Sequence, residues 1–185
     1  MAATVEREIK LRLDDAGATR AAILAMGASS FRGRRLQQDA LLDTADGHLR
    51  SERSVLRLRR EPGRSLLTFK GPVQPASMKV REELEVEVAD GDLVLDLLSR
   101  LGFTVWFRYE KFREEFTSGE VTLALDETPV GAFLEIEGNE QGVAVTAAAF
   151  GRGPAEYVLD SYRALFVRDC DERSVPVTDM LFDRA

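Results

Sequence analysis

Strand after strand in this chain carries long charged side chains on one face and apolar ones on the other. Side chains of an extended segment alternate sides with a period of two. Thr4 to Leu13 alternates strictly. Glu6, Glu8, Lys10 and Arg12 share one face; Val5, Ile9, Leu11 and Leu13, joined by Arg7, share the other. The same split recurs along the chain. Arg57 and Arg59 oppose Leu56 and Leu58, and Thr68 and Lys70 oppose Leu67 and Phe69. Lys79, Arg81, Glu83, Glu85 and Glu87 oppose Val80, Leu84, Val86 and Val88. Lys111, Arg113 and Glu115 oppose Phe112 and Phe116, and Glu135 and Glu137 oppose Leu134 and Ile136. One such strand is an ordinary half-buried strand with its polar face in water. Repeated through the chain, with few helices to cover the apolar faces, the pattern predicts a sheet that curls with its charged face inward. Its interior is then a polar tunnel, too charged to carry lipid.

Turn signals cut the chain into short pieces. Besides the first strand, segments near 30–43, 54–61, 65–71, 78–88, 103–117, 120–127 and 131–137 read as strands, with a hairpin turn at Ser118-Gly119. Ala18 to Met26 and Asp92 to Leu101 read as helices closed by Gly27 and Gly102, with two more near 140–149 and 154–167. Many antiparallel strands with a few helices make an α+β protein. No linker or repeat divides the 185 residues, so one domain over 1–185 is expected. The tail after Cys170 carries Val175, Val177, Met180, Leu181 and Phe182 and is expected to pack against the body.

Lysine use narrows the tunnel's role. Among 25 basic residues only Lys10, Lys70, Lys79 and Lys111 are lysine, and all four fall on charged strand faces. Where arginine is the default cation, a retained lysine marks a need for a compact point charge. Charges taken out of bulk water must be paired, hydrated or matched by a ligand. Clustered Arg and Lys fit a polyanion with many oxygens; carboxylates among them fit a hard divalent cation, Mg2+ or Mn2+. A triphosphate chain with a bridging metal accounts for both.

Other features exclude classes. A net charge of −7 argues against nucleic acid or a membrane surface as partner. No run approaches membrane-helix length, and the segment MAATVEREIK lacks the apolar stretch expected of a secretory leader. The single Cys170 fits a reducing compartment, and a cytoplasmic location is the expectation. No Gly-x-x-x-x-Gly-Lys loop occurs. His48 is expected to be solvated after a turn, Trp106 to be core or interface, and Arg32, Arg34 and Arg35 to form a solvated face or a tunnel mouth. Val86, Val88 and Ile136 mark an expected outer face for a homodimer, if helices do not cover them.

The motifs resemble those of the CYTH superfamily, the triphosphate tunnel metalloenzymes that include class IV adenylyl cyclases and thiamine triphosphatases. Glu6-x-Glu8-x-Lys10 is similar to that family's opening strand. Asp39 to Thr44, Leu56-Arg57-Leu58-Arg59, Thr68-Phe69-Lys70-Gly71-Pro72, Arg81-Glu82-Glu83, Lys111-Phe112-Arg113, Asp126-Glu127, Gly131, Glu135-Ile136-Glu137 and Ser161-Tyr162 follow in the family's order. The resemblance implies an eight-stranded antiparallel β-barrel with helices packed outside. It implies that Lys10, Arg57, Arg59, Lys70, Lys111 and Arg113 hold phosphate oxygens and that Glu6, Glu8 and Glu137 hold Mg2+ or Mn2+, with Asp126 and Glu135 as further candidates to bind the metal or to support its ligands. Arg81 with Glu83 is either a phosphate ligand and its orienter or an internal salt bridge. Lys70, Glu8 and Glu137 are the implied catalytic set. One departure is plain: Leu41-Leu42 stands where the family carries Tyr-Phe, so a lysine–tyrosine pair preparing a water would need Tyr109 or Tyr162, whereas metal activation needs neither. Three readings follow: hydrolysis of an inorganic or organic triphosphate, cyclisation of ATP to cyclic AMP and pyrophosphate, or binding of polyphosphate or nucleotide without turnover.

Overall fold

The alternation of Thr4–Leu13 makes β1, and seven further strands carry the same two-faced pattern: β2 (Ser29–Thr44), β3 (Val55–Glu61), β4 (Arg64–Lys70), β5 (Lys79–Val88), β6 (Phe103–Ser118), β7 (Val121–Thr128) and β8 (Gly131–Glu137). In the computed structural model, which describes residues 4–183, these strands close into an antiparallel barrel in the order β1-β5-β4-β3-β2-β6-β7-β8. Closure pairs β1 with both β5 and β8, setting Glu6 opposite Arg81, Glu8 opposite Lys79 and Glu137, and Lys10 opposite Glu135. Barrel closure leaves no free sheet edge.

Helices cover one side of the barrel. α1 (Ala16–Ala25) starts where Asp15 accepts from the Ala18 N–H, and α4 (Glu140–Ala149) where Asn139 accepts from the Gly142 N–H. These side-chain caps satisfy donors that the first helical turn leaves free. Ile23 of α1 and Val143 and Ala147 of α4 pack with Ile9, Leu11, Leu123, Leu134 and Ile136. Of the two covers expected for the outward apolar residues, helices take Ile136, which is fully buried, while Val88 is half-buried and Val86 is exposed beside Leu84. α3 (Gly91–Arg100) leaves Leu93 and Leu97 largely exposed.

A second cluster sits at one end of the barrel. The helix expected over 154–167 is instead a 3-10 turn at Pro154–Glu156 followed by α5 (Tyr162–Glu172), capped by Ser161. The extended backbone at Tyr157 and Ser161 interrupts what composition alone reads as continuous. Tyr162, Leu165, Phe166 and Cys170 pack on Leu41, Phe107, Tyr109 and Phe133, with Met180 of the tail. The tail bonds to β6 through Glu110 N–H to the Met180 carbonyl and Met180 N–H to the Arg108 carbonyl. His48 opens a four-residue helix, α2 (His48–Ser51), and is exposed as expected. No helix among the described residues is long and apolar enough to cross a membrane.

Candidate active site

The charged faces meet across the barrel as expected. All four lysines are buried inside it, and a cavity of about 630 Å³ runs through the interior. Thirteen lysine and arginine side chains line it against seven carboxylates, in a chain whose net charge is −7. The cavity is thus electropositive in an acidic molecule, which is the condition for collecting a polyanion.

Each strand contributes through its inward phase. From β1, Glu6 accepts from Lys70 Nζ at 2.6 Å and Arg81 Nε at 2.9 Å; Glu8 accepts from Lys79 Nζ at 2.6 Å and Lys10 Nζ at 3.2 Å. From β3, Arg59 Nε donates to Asp39 at 2.9 Å, and Arg57 reaches Asp39 and Thr68. From β6, Lys111 Nζ and Arg113 Nε donate to Asp126 at 2.8 and 2.6 Å, and Tyr162 Oη donates to the same carboxylate at 2.6 Å. Lys10 and Arg113 both reach Glu135. At the opposite end, Glu61 accepts from Arg35 Nε and Gln37 Nε2, both at 2.8 Å, with Arg32 and Arg64 beside it. Arg32 and Arg35 thus belong to a barrel mouth, whereas Arg34 pairs outside with Glu127 over the Phe112 ring.

Electrostatics separates two walls. Burial opposes the charge of Glu8, but Lys10 and Lys79 outweigh it and hold the carboxyl far below the usual range. Burial likewise opposes the charge of Lys10, and Glu135 and Glu8 more than restore it. Glu137 differs: it lines the cavity at an exposed position with no ion-pair partner among the described residues. Burial by the surrounding wall, then the charges of Glu6 and Glu8, push it up to about 7. Burial raises Glu83 as well. On the far wall, burial and then Arg113 push Lys111 down to about 8. Tyr109 and Tyr162 are both held protonated by burial and by a neighbouring carboxylate, Asp39 and Asp126 respectively.

These positions revise some assignments. Asp126 and Glu135, expected to bind metal or to support its ligands, are bonded to Lys111, Arg113 and Lys10. Arg81 is bonded to Glu6, while Glu83 is paired with Lys70, so the two do not form a salt bridge with each other. Lys70 has no tyrosine beside it; the Tyr162 ring lies instead near Lys10 and Lys111, at 5.3 and 4.9 Å. Trp106, expected in the core or at an interface, is half-buried and lines the cavity.

The metal expectation can be tested on the donor set. Glu6, Glu8 and Glu137 carry the hard carboxylate oxygens that Mg2+ or Mn2+ prefers. Among the described residues no three such groups converge, because Glu6 and Glu8 are drawn into ion pairs. Glu137, beside them, lines the cavity with its carboxylate free of ion pairs among the described residues. The donor chemistry fits a divalent cation, and the side chains would have to exchange partners to take one.

Sequence reasoning passed over Asp39, Glu61, Glu85, Arg50, Arg53 and Arg163. Asp39 had a legible signal, being in phase with Leu41 and Gln37 on β2, and both line the cavity. Glu85 had the same signal, on the charged face of β5 with Arg81 and Glu83, whereas Glu61, Arg50, Arg53 and Arg163 sit at a strand end or outside strands, where alternation carries no information.

The comparisons agree with this geometry. A protein of Methanocaldococcus jannaschii, named as a proposed adenylate cyclase, is 30% identical over 134 residues, 72% of this chain and 76% of that one. Among solved structures, a Vibrio parahaemolyticus protein described in the same terms superposes with a TM-score of 0.78 at 20% identity, over 90% of this chain and 99% of its own. A Pyrococcus horikoshii protein gives 0.73 at 27% identity over 86% and 98%. A Hippeastrum protein, described as a proposed adenylyl cyclase with a dominant triphosphatase activity, gives 0.67 at 22% over 89% and 96%. The CYTH domain matches residues 4–147, which span all eight strands of the barrel. By closed barrel, charged interior and matched span alike, this chain belongs to the CYTH family.

Proposed function

We propose that this chain hydrolyses a triphosphate chain, inorganic or organic, with a divalent metal in the tunnel. The observation that carries the reading is the lining itself: a surplus of cations facing one cavity, with Glu6 and Glu8 held by lysines and arginine and Glu137 beside them without an ion-pair partner among the described residues. Lys10, Arg57, Arg59, Lys70, Lys111 and Arg113 would exchange their carboxylate partners for phosphate oxygens, using charge-assisted hydrogen bonds throughout. Mg2+ or Mn2+ on Glu6, Glu8 and Glu137 would supply charge neutralisation and polarisation of a phosphoryl oxygen. Positioning and electrostatic stabilisation carry most of phosphoryl transfer. Lys70, donating to Glu6 and Glu83 and lacking a tyrosine, acts in this scheme as a phosphate-holding cation and not as a base. Attack of water on the terminal phosphorus then breaks the bridging P–O bond and releases orthophosphate.

The second reading is an adenylyl cyclase, supported by the name of the archaeal relative. Against it stands the sparse amide chemistry of the lining: Gln37 is its single amide among the described residues, its nitrogen donates to Glu61, and only its unpartnered Oε1 is left for a purine amine. A binder without turnover is the third. Purified protein with Mg2+ or Mn2+ and, in turn, inorganic triphosphate, thiamine triphosphate and ATP separates them. Orthophosphate supports hydrolysis, cyclic AMP with pyrophosphate supports cyclisation, and saturable binding with no product under either metal supports the binder.

A further inference from the structure

The cations that line the tunnel are not equivalent. Eleven have a carboxylate within ion-pair distance. Arg53 and Arg163 have none among the described residues, and Nε of Arg163 is buried without a hydrogen-bond partner. Both belong to one mouth, together with Arg50. Arg50 and Arg163 lie 4.6 and 4.8 Å from the centre of the Trp106 ring, and the Arg53 N–H donates to the Arg50 carbonyl.

This mouth is built rather than incidental. Leu41 pairs with Phe107 and Leu42 with Val105, so Trp106 is the extra residue of a β-bulge. Bulges re-aim a side chain, and this one sets an indole at the rim. Stacking leaves the in-plane donors of a guanidinium unused. Asp43, the buried carboxylate that holds Arg50, also accepts from the Leu49 and Arg50 backbone N–H groups and has little capacity left. Arg53 adopts a left-handed backbone, φ 55°, a conformation costly for a residue with a side chain.

We infer that this rim is a second anion subsite, which holds phosphates beyond the third of a linear polyphosphate threaded into the tunnel. The inference rests on the reading of the tunnel as a triphosphate site. A cationic organic head would be repelled by the three arginines, and a neutral one would leave their donors unmet. A stacking base would have to displace a guanidinium from Trp106.

The test is calorimetric titration of the full chain with inorganic triphosphate and inorganic tetraphosphate, at fixed free Mg2+ and salt. Wild type, Arg163→Gln and Arg53→Gly are compared; glycine accepts the left-handed backbone, so the second variant removes the charge without straining the fold. Wild type should bind tetraphosphate roughly tenfold to a hundredfold more tightly than triphosphate, the range of one or two charge-assisted hydrogen bonds. Each variant should lose most of that preference while its triphosphate affinity changes by less than about twofold, against that same range. Equal wild-type affinities, or equal losses on both ligands, overturn the subsite and leave the tunnel reading standing. Wild type that binds neither ligand overturns the tunnel reading and the subsite with it.

Discussion

Replacing Asp126 by Asn keeps the side chain's shape and removes its charge. Asp126 is fully buried and accepts from Lys111 Nζ, Arg113 Nε and Tyr162 Oη at 2.8, 2.6 and 2.6 Å. In the variant Lys111 faces Arg113 with no carboxylate between them, and Arg113 keeps only Glu135. Breaking a buried ion pair by removing one partner costs about 3–5 kcal/mol. At about 2–4 °C per kcal/mol for a chain of this size, the melting temperature should fall by roughly 6–20 °C. Triphosphate should recover much of the loss, because it returns negative charge to the same two cations. Lys111→Met added to Asp126→Asn should also recover part of it, since the stranded charge is gone and the two sites are in contact. Scanning calorimetry with and without triphosphate measures all of this. A fall of less than about 2 °C, below what breaking a buried pair costs, or a loss that triphosphate leaves untouched, would refute the idea that this cluster is a phosphate-holding wall balanced by an internal counter-ion.

Lys111 also predicts a pH dependence. Its folded value, about 8, lies below the ordinary 10.5, so between those values the unfolded chain holds more protons and stability rises with pH. The slope is at most about 1.4 kcal/mol per pH unit. Triphosphate affinity should fall over the same range as the ammonium is lost; Lys79, also lowered to about 8, adds a like limb to stability, so Lys111→Met should reduce the stability slope and weaken the affinity loss in titrations from pH 7 to 10. Lys10→Ala should abolish turnover in an orthophosphate-release assay while far-ultraviolet circular dichroism stays native; an unchanged rate removes Lys10 from the site. Millimolar Mg2+ or Mn2+ should raise the wild-type melting temperature, and Glu137→Gln should shrink that rise; an equal rise in the variant would take Glu137 out of the metal set.

Much of the barrel was legible because alternation is a local property. Glu6, Glu8 and Lys10 had to share a face whatever the strands did next, and the same holds for Lys111 with Arg113. The scarcity of lysine pointed to the interior, and all four lysines are there. The errors occurred where local pattern stops carrying information. Ile136 read as an outward apolar residue, and whether helices or a partner cover such a face is a question of packing. Helix composition over 154–167 gave no warning of the extended turn at Tyr157. The partners of Asp126 and Glu135 were not legible at all, because a carboxylate on an inward face looks the same in sequence whether it meets a cation of the protein or a metal.

The sequence by itself determined two-faced strands, and with them a sheet obliged to hide one charged side and one apolar side. Only the tertiary structure decided who meets whom. Barrel closure brings Lys70 to Glu6 and Lys79 to Glu8, across 64 and 71 residues of chain. It packs α5 over one end so that Tyr162 bonds Asp126, and bulges β6 so that Trp106 reaches the mouth. Faces follow from the backbone's period of two, which each residue obeys locally. Ion-pair partners follow from strand order and register around a closed ring, which no single strand encodes.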